Sequence, residues 1–385
     1  MKSFVISETQ IASVIGAASA DELSRRFDRH FDFLTIASWT GKTPLHRGGL
    51  GLSDEETIAC AGRAALFFGL DREFLTACKA ERLSDWAREI SLATRKKLDC
   101  FSFKPAARDD RDAACNHHTD EIYQDAAAAA NLLYGRRRLL SFVAPHSLLG
   151  FELSILTPNL LHIEAVDARR MTPEALSRGL LFGDVLVATP SLWRYMMREK
   201  LTAPDNMMAV SFGEPMTPDL ATEMRKSGFG VMRELYGSTE TGLIGWRDDP
   251  NEPFILCDQW RRHGDDLFRF APDQSEKPVQ PMDILDWADE RSFRLLGRRD
   301  GAVQVGAVNV FPNEVAKVLC DHEKIADCRV VVGRRGDGVS RLIAHIVLEK
   351  NVAPDENTAR EIDVWCRLKL RQQERPRIYN FEAAL

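Results

Sequence analysis

The sequence predicts an α/β protein: a large N-terminal domain of mostly parallel sheets flanked by helices, joined by a hinge to a small α+β C-terminal domain. Three observations lead to this prediction. Helical patterns fill residues 1–95, helix-like and strand-like segments alternate from residue 121 onward, and the pattern changes after Leu296. A chain of 385 residues with 44% hydrophobic content can bury more than one core. We therefore predict domains at residues 1–296 and 297–385.

The charge balance and the cysteines limit the partners and the compartment. Lys and Arg total 51 against 57 acidic residues, a net charge of −6, so no overall positive field would attract nucleic acid or anionic lipid. The apolar run at residues 11–20 is too short to cross a bilayer, so we predict a helix there and no membrane partner. The eight cysteines are scattered without a CxxC pair, which predicts reduced thiols and a cytoplasmic location.

The first part of the chain divides into a helical layer and an irregular segment. Apolar residues recur at three- and four-residue spacing, for example across residues 55–68, as expected for amphipathic helices. Residues 98–119 are rich in charge and lack such periodicity, so we predict a loop there. His117 and His118 fall in this loop, and because adjacent histidines do not share one face of a helix, we predict no metal site from them.

The rest of the chain is predicted as alternating elements. The apolar strands LLSFVA, DVLVATP, AVSFGEP and VMRELYG alternate with helices near residues 126–130 and 218–226. Ligand sites in such sheets lie at the carboxyl ends of the strands. The C-terminal part predicts a hairpin in GRRDGAVQVGAVNV, a helix at residues 312–319, two strands, and a helix near residues 361–370.

The segment LYGSTETG, residues 235–242, has the clearest chemical character. An apolar strand leads into small and hydroxylated residues, which leaves backbone N–H groups and hydroxyls free to face phosphate oxygens, while a neighbouring carboxylate can hold a divalent cation. Thr239 is the predicted phosphate contact and Glu240 the predicted Mg²⁺ ligand. A capped helix start or a tight turn is the alternative interpretation of this pattern.

Three segments in a fixed order resemble one family. SFGEP at residues 211–215, YGSTE at 236–240 and GRRDGAVQVGAVNVFPNEV at 297–315 together resemble the motifs of adenylate-forming acyl ligases, the AMP-binding superfamily. The resemblance covers roughly residues 120–385. It implies that ATP and CoA are cosubstrates and that Mg²⁺ is the cofactor. It also implies a small C-terminal domain that rotates about a hinge.

The resemblance also implies roles for individual residues. Thr239 would contact the α-phosphate, Glu240 would ligate Mg²⁺, and Asp300 would be the hinge. The residues implied to bind the nucleotide are Gly213, Glu214 and Pro215 at the adenine, Tyr236 stacking on it, Gly237 and Ser238 beside it, and Asp283 and Arg298 at the ribose. Asp286 is a second choice for Asp283, for which a solvated loop carboxylate is the alternative. A surface ion pair is the alternative for Arg298 and Asp300.

APHSLLGF, residues 144–151, resembles the family segment that forms the acid-binding pocket. His146 would orient the carboxylate of the substrate, Ser147 holds the position where many relatives have a histidine, and Phe151 would pack on an aryl ring. Phe212, with Trp193 and Trp246, is a further candidate for stacking on an aromatic acid, and packing in the core is the alternative for these residues. A hydrogen-bonded structural histidine is the alternative for His146.

Two segments depart from the family pattern. The glycine- and hydroxyl-rich phosphate loop is replaced by CFSFKPAARDD, in which Ser102, Lys104 and Pro105 are possible equivalents, but the glycines that let backbone amides approach phosphate are absent. RPRIYNFEAAL resembles the run-up to the lysine-bearing C-terminal segment, which the sequence does not reach. Ala307 stands where many thioester-forming relatives have a glycine.

The segments together look most like the short 4-coumarate:CoA ligases that serve photoactive yellow protein. This resemblance predicts an acid–thiol ligase that activates an aromatic acid such as 4-hydroxycinnamate, a phenylpropanoid, and transfers the acyl group to CoA. Transfer to the phosphopantetheine of a carrier protein is one alternative. A degenerate protein that binds an aromatic acid or nucleotide without catalysis is another.

Overall fold

The computed structural model divides the chain into two compact units. The described residues are 6–105, 113–271, 275–305, 308–334 and 340–383. The larger unit comprises Met1–Pro281 with Trp287–Phe293, and the smaller unit comprises Met282–Asp286 with Arg294–Leu385. The predicted domain boundary after residue 296 and the predicted rotation about a hinge stay predictions.

The N-terminal part of the larger unit is helical. Its helices are α1 (Glu8–Phe27), α2 (Phe33–Ser38), α3 (Asp54–Phe67) and α4 (Leu83–Thr94). Helix α3 begins at a capping box, in which the Ser53 hydroxyl accepts from the Glu56 N–H and the Glu56 carboxylate accepts from the Ser53 N–H. The apolar faces of these helices form one core, in which Ile15, Phe67 and Trp86 are at most 1% exposed.

The predicted loop at residues 98–119 is wrong for the described residues on both sides of positions 106–112, because two strands form there. Strands β1 (Cys100–Phe103) and β2 (Cys115–His118) pair antiparallel, with Ser102 opposite Asn116. Phe101 and Phe103 are buried in the helical core, and this burial gives the short strand its register. His117 and His118 therefore lie on a strand.

A mixed sheet is the centre of the larger unit and confirms the α/β class. Its strands are β3 (Arg138–Ser141), β4 (Glu164–Asp167), β5 (Asp184–Ala188), β6 (Met207–Ser211), β7 (Phe229–Ser238), β8 (Gly242–Arg247), β9 (Phe254–Leu256) and the start of β14 (Ser292–Arg298), in the order β14-β9-β8-β7-β6-β5-β3-β4. Five neighbouring strands from β4 to β7 pair in parallel, and the pairs β7–β8, β8–β9 and β9–β14 are antiparallel. The rest of β14 and nearly all of its neighbour β13 (Asp283–Trp287) belong to the smaller unit.

Helices lie between the parallel strands, as the alternating pattern predicts. They are α5 (Thr119–Leu132), α6 (Leu148–Phe151), a π-helix (Glu152–Leu156), α7 (Thr157–Leu161), α8 (Pro173–Gly179), α9 (Pro190–Arg198) and α10 (Pro218–Lys226). Every residue of β5 and β6 is buried, which is typical of parallel strands covered on both faces.

A separate antiparallel sheet of the larger unit follows β9. It contains β10 (Trp260–His263), β11 (Asp266–Phe270) and β12 (Glu276–Val279). In the part of the chain that is described, no helix is both long and apolar enough to span a bilayer.

The smaller unit has its own core. Its other elements are β15 (Val303–Val305), β16 (Val308–Val310), α11 (Pro312–Cys320), β17 (Ile325–Arg334), β18 (Ser340–Leu348), α12 (Glu356–Lys369) and β19 (Ile378–Phe381). Strands β17, β18 and β19 form one sheet, on which helices α11 and α12 bury Leu319 and Ile362 against Ile346. The predicted hairpin at GAVQVGAVNV corresponds to the antiparallel pair β15–β16.

Candidate functional site

The parallel strands bring three predicted segments to one edge of the sheet. Strands β5, β6 and β7 run in the same direction, so the segments after their carboxyl ends meet there. Gly213, just after β6, has φ +86°, and a Cβ placed on it would meet no atom within 4 Å. The backbone at Gly213 therefore needs glycine and faces open space.

The Glu214 side chain is already partly engaged. One carboxylate oxygen accepts a hydrogen bond from the Ser191 hydroxyl at 2.8 Å and lies 3.6 Å from the Arg194 guanidinium. The other oxygen has no hydrogen-bond partner among the described residues. Helix α9 thus holds Glu214, and one acceptor remains for a ligand. The neighbouring Pro215 is exposed.

Tyr236 and Gly237 lie near the end of β7. The Tyr236 side chain is 8% exposed, and its ring lies 5.5 Å from the rings of both Phe254 and Phe293. A Cβ on Gly237 would come within 2.2 Å of the Gly242 carbonyl oxygen, so close approach of the two strands requires glycine. Tyr236 is thus held by aromatic packing, and its predicted stacking on adenine stays a prediction.

The YGSTETG motif forms the tight turn between β7 and β8. Ser238 pairs with Gly242 across the hairpin, and the Ser238 hydroxyl accepts from the Glu240 N–H at 3.3 Å and lies 3.1 Å from the Thr241 hydroxyl. The backbone therefore adopts a tight turn, which was one of the alternative interpretations of the sequence pattern. The Glu240 side chain is exposed and makes no hydrogen bond or ion pair to any described residue.

A small cleft lies beside this turn, with a volume of about 50 Å³. Its lining residues are Asn116, His117, Glu121, Glu240, Thr241, Arg269, Lys277 and Val279. Of the predicted site residues, only Glu240 is among them. Within the described ranges, no group of three or more His, Cys, Asp or Glu side chains is arranged to hold a metal ion. Mg²⁺ commonly uses one or two carboxylates together with water and substrate phosphates, so a single exposed Glu240 fits such a site.

Buried side chains hold the turn through hydrogen bonds to its backbone. Asp125, on α5, is 0% exposed and accepts from Arg269 at 2.7 Å, from Gln259 at 2.8 Å and from the Leu243 N–H at 3.1 Å. Burial raises the pKa of Asp125, and the Arg269 charge opposes this rise. The Arg269 guanidinium also donates to the Thr241 carbonyl at 3.2 Å. Neither residue was predicted from the sequence, because no local pattern marks a contact between positions so distant in the chain.

Glu152 is a second buried carboxyl group near this network. It begins the π-helix, is 0% exposed, and neither of its oxygens has a hydrogen-bond partner among the described residues. Burial and the nearby Asp125 carboxylate raise the pKa of Glu152 well above the ordinary value. A glutamate inside the apolar run LLGFELSIL was the sequence signal that could have identified it.

The three predicted residues of the acid-binding segment lie in different environments. Ser147 caps α6 by accepting from the Gly150 N–H, and Phe151 is fully buried, with its ring 4.9 Å from that of Phe101. Burial lowers the pKa of His146 to about 4, and its Nδ1 has no hydrogen-bond partner among the described residues. His146 is thus a neutral imidazole at pH 7. Phe151 belongs to the helical core in this structure.

The aromatic candidates after β5 and β6 also lie inside the protein. Trp193 is 0% exposed and donates to the Val210 carbonyl at 3.3 Å, and Phe212 is 7% exposed. The Arg233 guanidinium covers the ring of Trp246 at 4.3 Å. Stacking of Phe212 on a substrate ring stays a prediction.

The possible equivalents of the phosphate loop are held by the N-terminal helices. Lys104 bonds to Glu22 of α1 at 2.6 Å, and the two side chains are only 10% and 3% exposed. The Ser102 carbonyl accepts from Arg63 at 3.1 Å, and the Pro105 carbonyl accepts from Arg25 at 3.3 Å. The Lys104 charge is therefore balanced inside the protein. Residues 106–112 of this segment lie outside the described residues.

The remaining predicted residues lie in the smaller unit. Arg298 forms a bidentate pair with Asp300, at 2.9 and 2.7 Å, which is the ion pair left open as an alternative. Hydrogen bonding from Arg298 lowers the pKa of Asp300. Asp283 begins β13 and is half-buried, while Asp286 is exposed. The predicted ribose and hinge roles stay predictions, and Ala307 lies outside the described residues.

Comparisons with known proteins place the chain among ligases. No protein-family model matches it. A 4-coumarate–CoA ligase from Halorhodospira halophila is 33% identical over 270 residues, which is 68% of this chain and 66% of that protein. A 4-coumarate–CoA ligase from Cereibacter sphaeroides is 29% identical over 299 residues, covering 74% of this chain and 71% of that protein.

Solved structures show the same fold. An amide bond synthetase from Marinactinospora thermotolerans has a TM-score of 0.60 at 14% identity, over 98% of this chain and 90% of that one. A malonyl-CoA ligase with methylmalonyl-CoA and AMP bound has a TM-score of 0.55 at 15% identity, over 71% of this chain and 68% of that one. The sequence relatives and the shared fold agree with the motifs at the strand ends, and the chain belongs to the adenylate-forming acyl-CoA ligase superfamily, where it is similar to 4-coumarate–CoA ligases.

Proposed function

We propose that this protein activates an aromatic carboxylic acid similar to 4-hydroxycinnamate as its acyl adenylate and then transfers the acyl group to CoA. Family membership and the similarity to two 4-coumarate–CoA ligases support this proposal. The structural observation that carries it is the exposed Glu240 carboxylate, which projects from the turn after β7 beside a cleft and has no described partner.

The proposed chemistry has two steps. A carboxylate oxygen of the acid attacks the α-phosphorus of ATP, the bond to the β-phosphate breaks, and pyrophosphate leaves with the electron pair. The CoA thiolate then attacks the acyl carbonyl, and AMP leaves. Mg²⁺, held by Glu240, would neutralise charge that develops on the phosphate oxygens.

The chain's own residues supply position and polarity. The Thr239 hydroxyl would contact the α-phosphate from the turn, and Gly213 would leave room for the base beside β6. His146 is neutral at pH 7, so it would orient the incoming carboxylate by hydrogen bonding rather than by charge. Arg298, Asp283 and Asp300 would act from the smaller unit.

One observation favours a second candidate, a protein that binds an aromatic acid or a nucleotide without turnover. Lys104, the lysine of the segment that replaces the phosphate loop, is paired with Glu22 and buried. The β- and γ-phosphates would then not receive the charge of this lysine.

Acid-dependent exchange of pyrophosphate into ATP separates the two candidates. Purified protein is tested with a panel of aryl acids that includes 4-hydroxycinnamate, and we expect exchange that depends on the acid. Acid or nucleotide binding without exchange from any acid would support the binding protein instead. Where exchange occurs, mass measurement after adding CoA or a phosphopantetheine-bearing carrier protein identifies the acceptor.

A further inference from the structure

The backbone on both sides of Glu240 is held by side chains from two other strands. The Thr239 carbonyl accepts from His117 Nε2 at 2.7 Å, and the Thr241 carbonyl accepts from Arg269 at 3.2 Å. The Thr239 carbonyl belongs to the peptide plane that leads into Glu240, and the Thr241 carbonyl belongs to the plane after the next residue. The His117 hydrogen bond therefore fixes the peptide plane from which the Glu240 side chain leaves the backbone, and the Arg269 hydrogen bond holds the end of the turn.

The His117 ring is itself fixed. It is 4% exposed on β2, and its centroid lies 6.0 Å from that of Phe103 in an edge-to-face arrangement. Because a carbonyl oxygen only accepts, Nε2 carries the proton, and Nδ1 faces the Glu121 carboxylate at 3.8 Å. The imidazole thus has one defined donor, directed at the turn.

We propose that His117 is a positioning residue that orients Glu240 toward a divalent cation and nucleotide phosphates in the adjoining cleft. The proposal rests on the proposed function. His117 lies 122 positions before Thr239 in the chain, and its Nε2 proton is donated to the Thr239 carbonyl, so it would act through that carbonyl. Its hydrogen bond joins the β1–β2 hairpin to the motif turn, although the hairpin lacks the usual phosphate-binding sequence.

Arg269 is a poor residue for testing this idea, because its loss would leave the buried Asp125 carboxylate without its cationic partner and strongly destabilise the protein. His117 can be changed more safely. His117→Ala removes the donor, whereas His117→Gln keeps an amide N–H of similar reach. His118→Asn is the matched control, because His118 is exposed and Asn can keep its hydrogen bond to the Asp120 N–H at the start of α5.

The experiment measures pyrophosphate exchange as a function of Mg²⁺ concentration, together with binding of Mn²⁺ and ATP by the same variants. A misplaced catalytic group can cost one or two orders of magnitude in rate, so we expect His117→Ala to lower exchange by about tenfold or more and to weaken Mn²⁺ binding. We expect His117→Gln to recover most of both and His118→Asn to behave as wild type. Melting temperatures show whether each variant is folded.

The outcomes distinguish this proposal from the proposed function. Wild-type Mg²⁺ dependence and Mn²⁺ affinity in folded His117→Ala would overturn the positioning role, as would a glutamine variant no better than alanine. If wild-type protein shows no exchange, the proposed function fails, and the Mn²⁺ affinities of the three variants still decide the role of His117. Absence of Mn²⁺ and ATP binding to wild-type protein overturns both.

Discussion

Two hairpins of the larger unit differ in what they do with their charged residues. The β7–β8 hairpin leaves the Glu240 carboxylate exposed at its turn. The β1–β2 hairpin instead has Lys104 just after its first strand, and this lysine is paired with Glu22 of α1. In both hairpins, buried apolar residues fix the register of the strands. The backbone conformation therefore does not depend on whether the nearby charged side chain is available to bind a ligand.

The largest expected effect is at the exposed carboxylate. Glu240→Gln keeps the size of the side chain but removes the negative charge that would hold Mg²⁺. Loss of one preorganised group at a phosphoryl centre typically costs about a hundredfold or more in rate, so we expect acid-dependent exchange to fall at least that far. The melting temperature should not change, because Glu240 has no described partner to lose.

Glu223→Gln, an exposed change on α10, is the control for that measurement. Near-normal exchange in Glu240→Gln would place the metal elsewhere and remove the functional difference between the two hairpins.

An intermediate effect is expected at Lys104, on stability rather than on nucleotide binding. Lys104→Met leaves the Glu22 carboxylate with Arg26 as its remaining ion-pair partner, and breaking a buried ion pair costs several kcal/mol, so we expect a loss of about 2 kcal/mol in unfolding free energy. Urea denaturation measures this loss. The KM for ATP in the exchange assay should stay close to that of wild type.

Lys97→Met is the matched change, because its pairing with Asp99 is exposed and contributes little. A raised KM for ATP in Lys104→Met, with little loss of stability, would mean that Lys104 leaves Glu22 to bind phosphate. The two hairpins would then share one function.

The smallest expected effect is at Glu152, the buried carboxyl group near Asp125, which holds the β7–β8 turn. The pKa of Glu152 is raised well above its ordinary value of 4.5, so the native protein keeps a proton that the unfolded chain releases. The unfolding free energy therefore falls as pH rises above 4.5, until the folded pKa is reached. Glu152→Gln lacks this proton release, so we expect its stability relative to wild type to increase as the pH is raised from 5 to 7.

Urea unfolding curves across that pH range provide the measurement, with Glu223→Gln again as the exposed control. Identical pH slopes for wild type and Glu152→Gln would contradict a raised pKa of Glu152 in the native protein.

Sequence patterns predicted the elements whose signals are local. Strands β5 and β6 are fully buried apolar runs, and α10 begins after Thr217, whose hydroxyl caps the helix before Pro218. The position of the motif turn after β7 was predicted in the same way. These elements needed no knowledge of distant contacts.

What the sequence did not predict depends on contacts between distant residues. Strand β1 has only four residues, so its alternation of Phe and polar side chains was too short to stand out from the charged segment around it. Arg269 meets Asp125 across 144 positions of the chain, and no spacing rule links them. The pairing of Lys104 with Glu22 across 82 positions was equally hidden, although it bears directly on the choice between ligase and binding protein.

Gly242 limits how the motif turn can be diversified in a laboratory library. Its φ is +78°, and a Cβ there would come within 2.0 Å of the Asp125 carboxylate. Randomising this codon would therefore yield mostly misfolded clones, because any side chain collides with the buried support as well as straining the backbone. Saturation at positions 239 and 240, with residue 242 left as glycine, would explore ligand preference while keeping the hairpin intact.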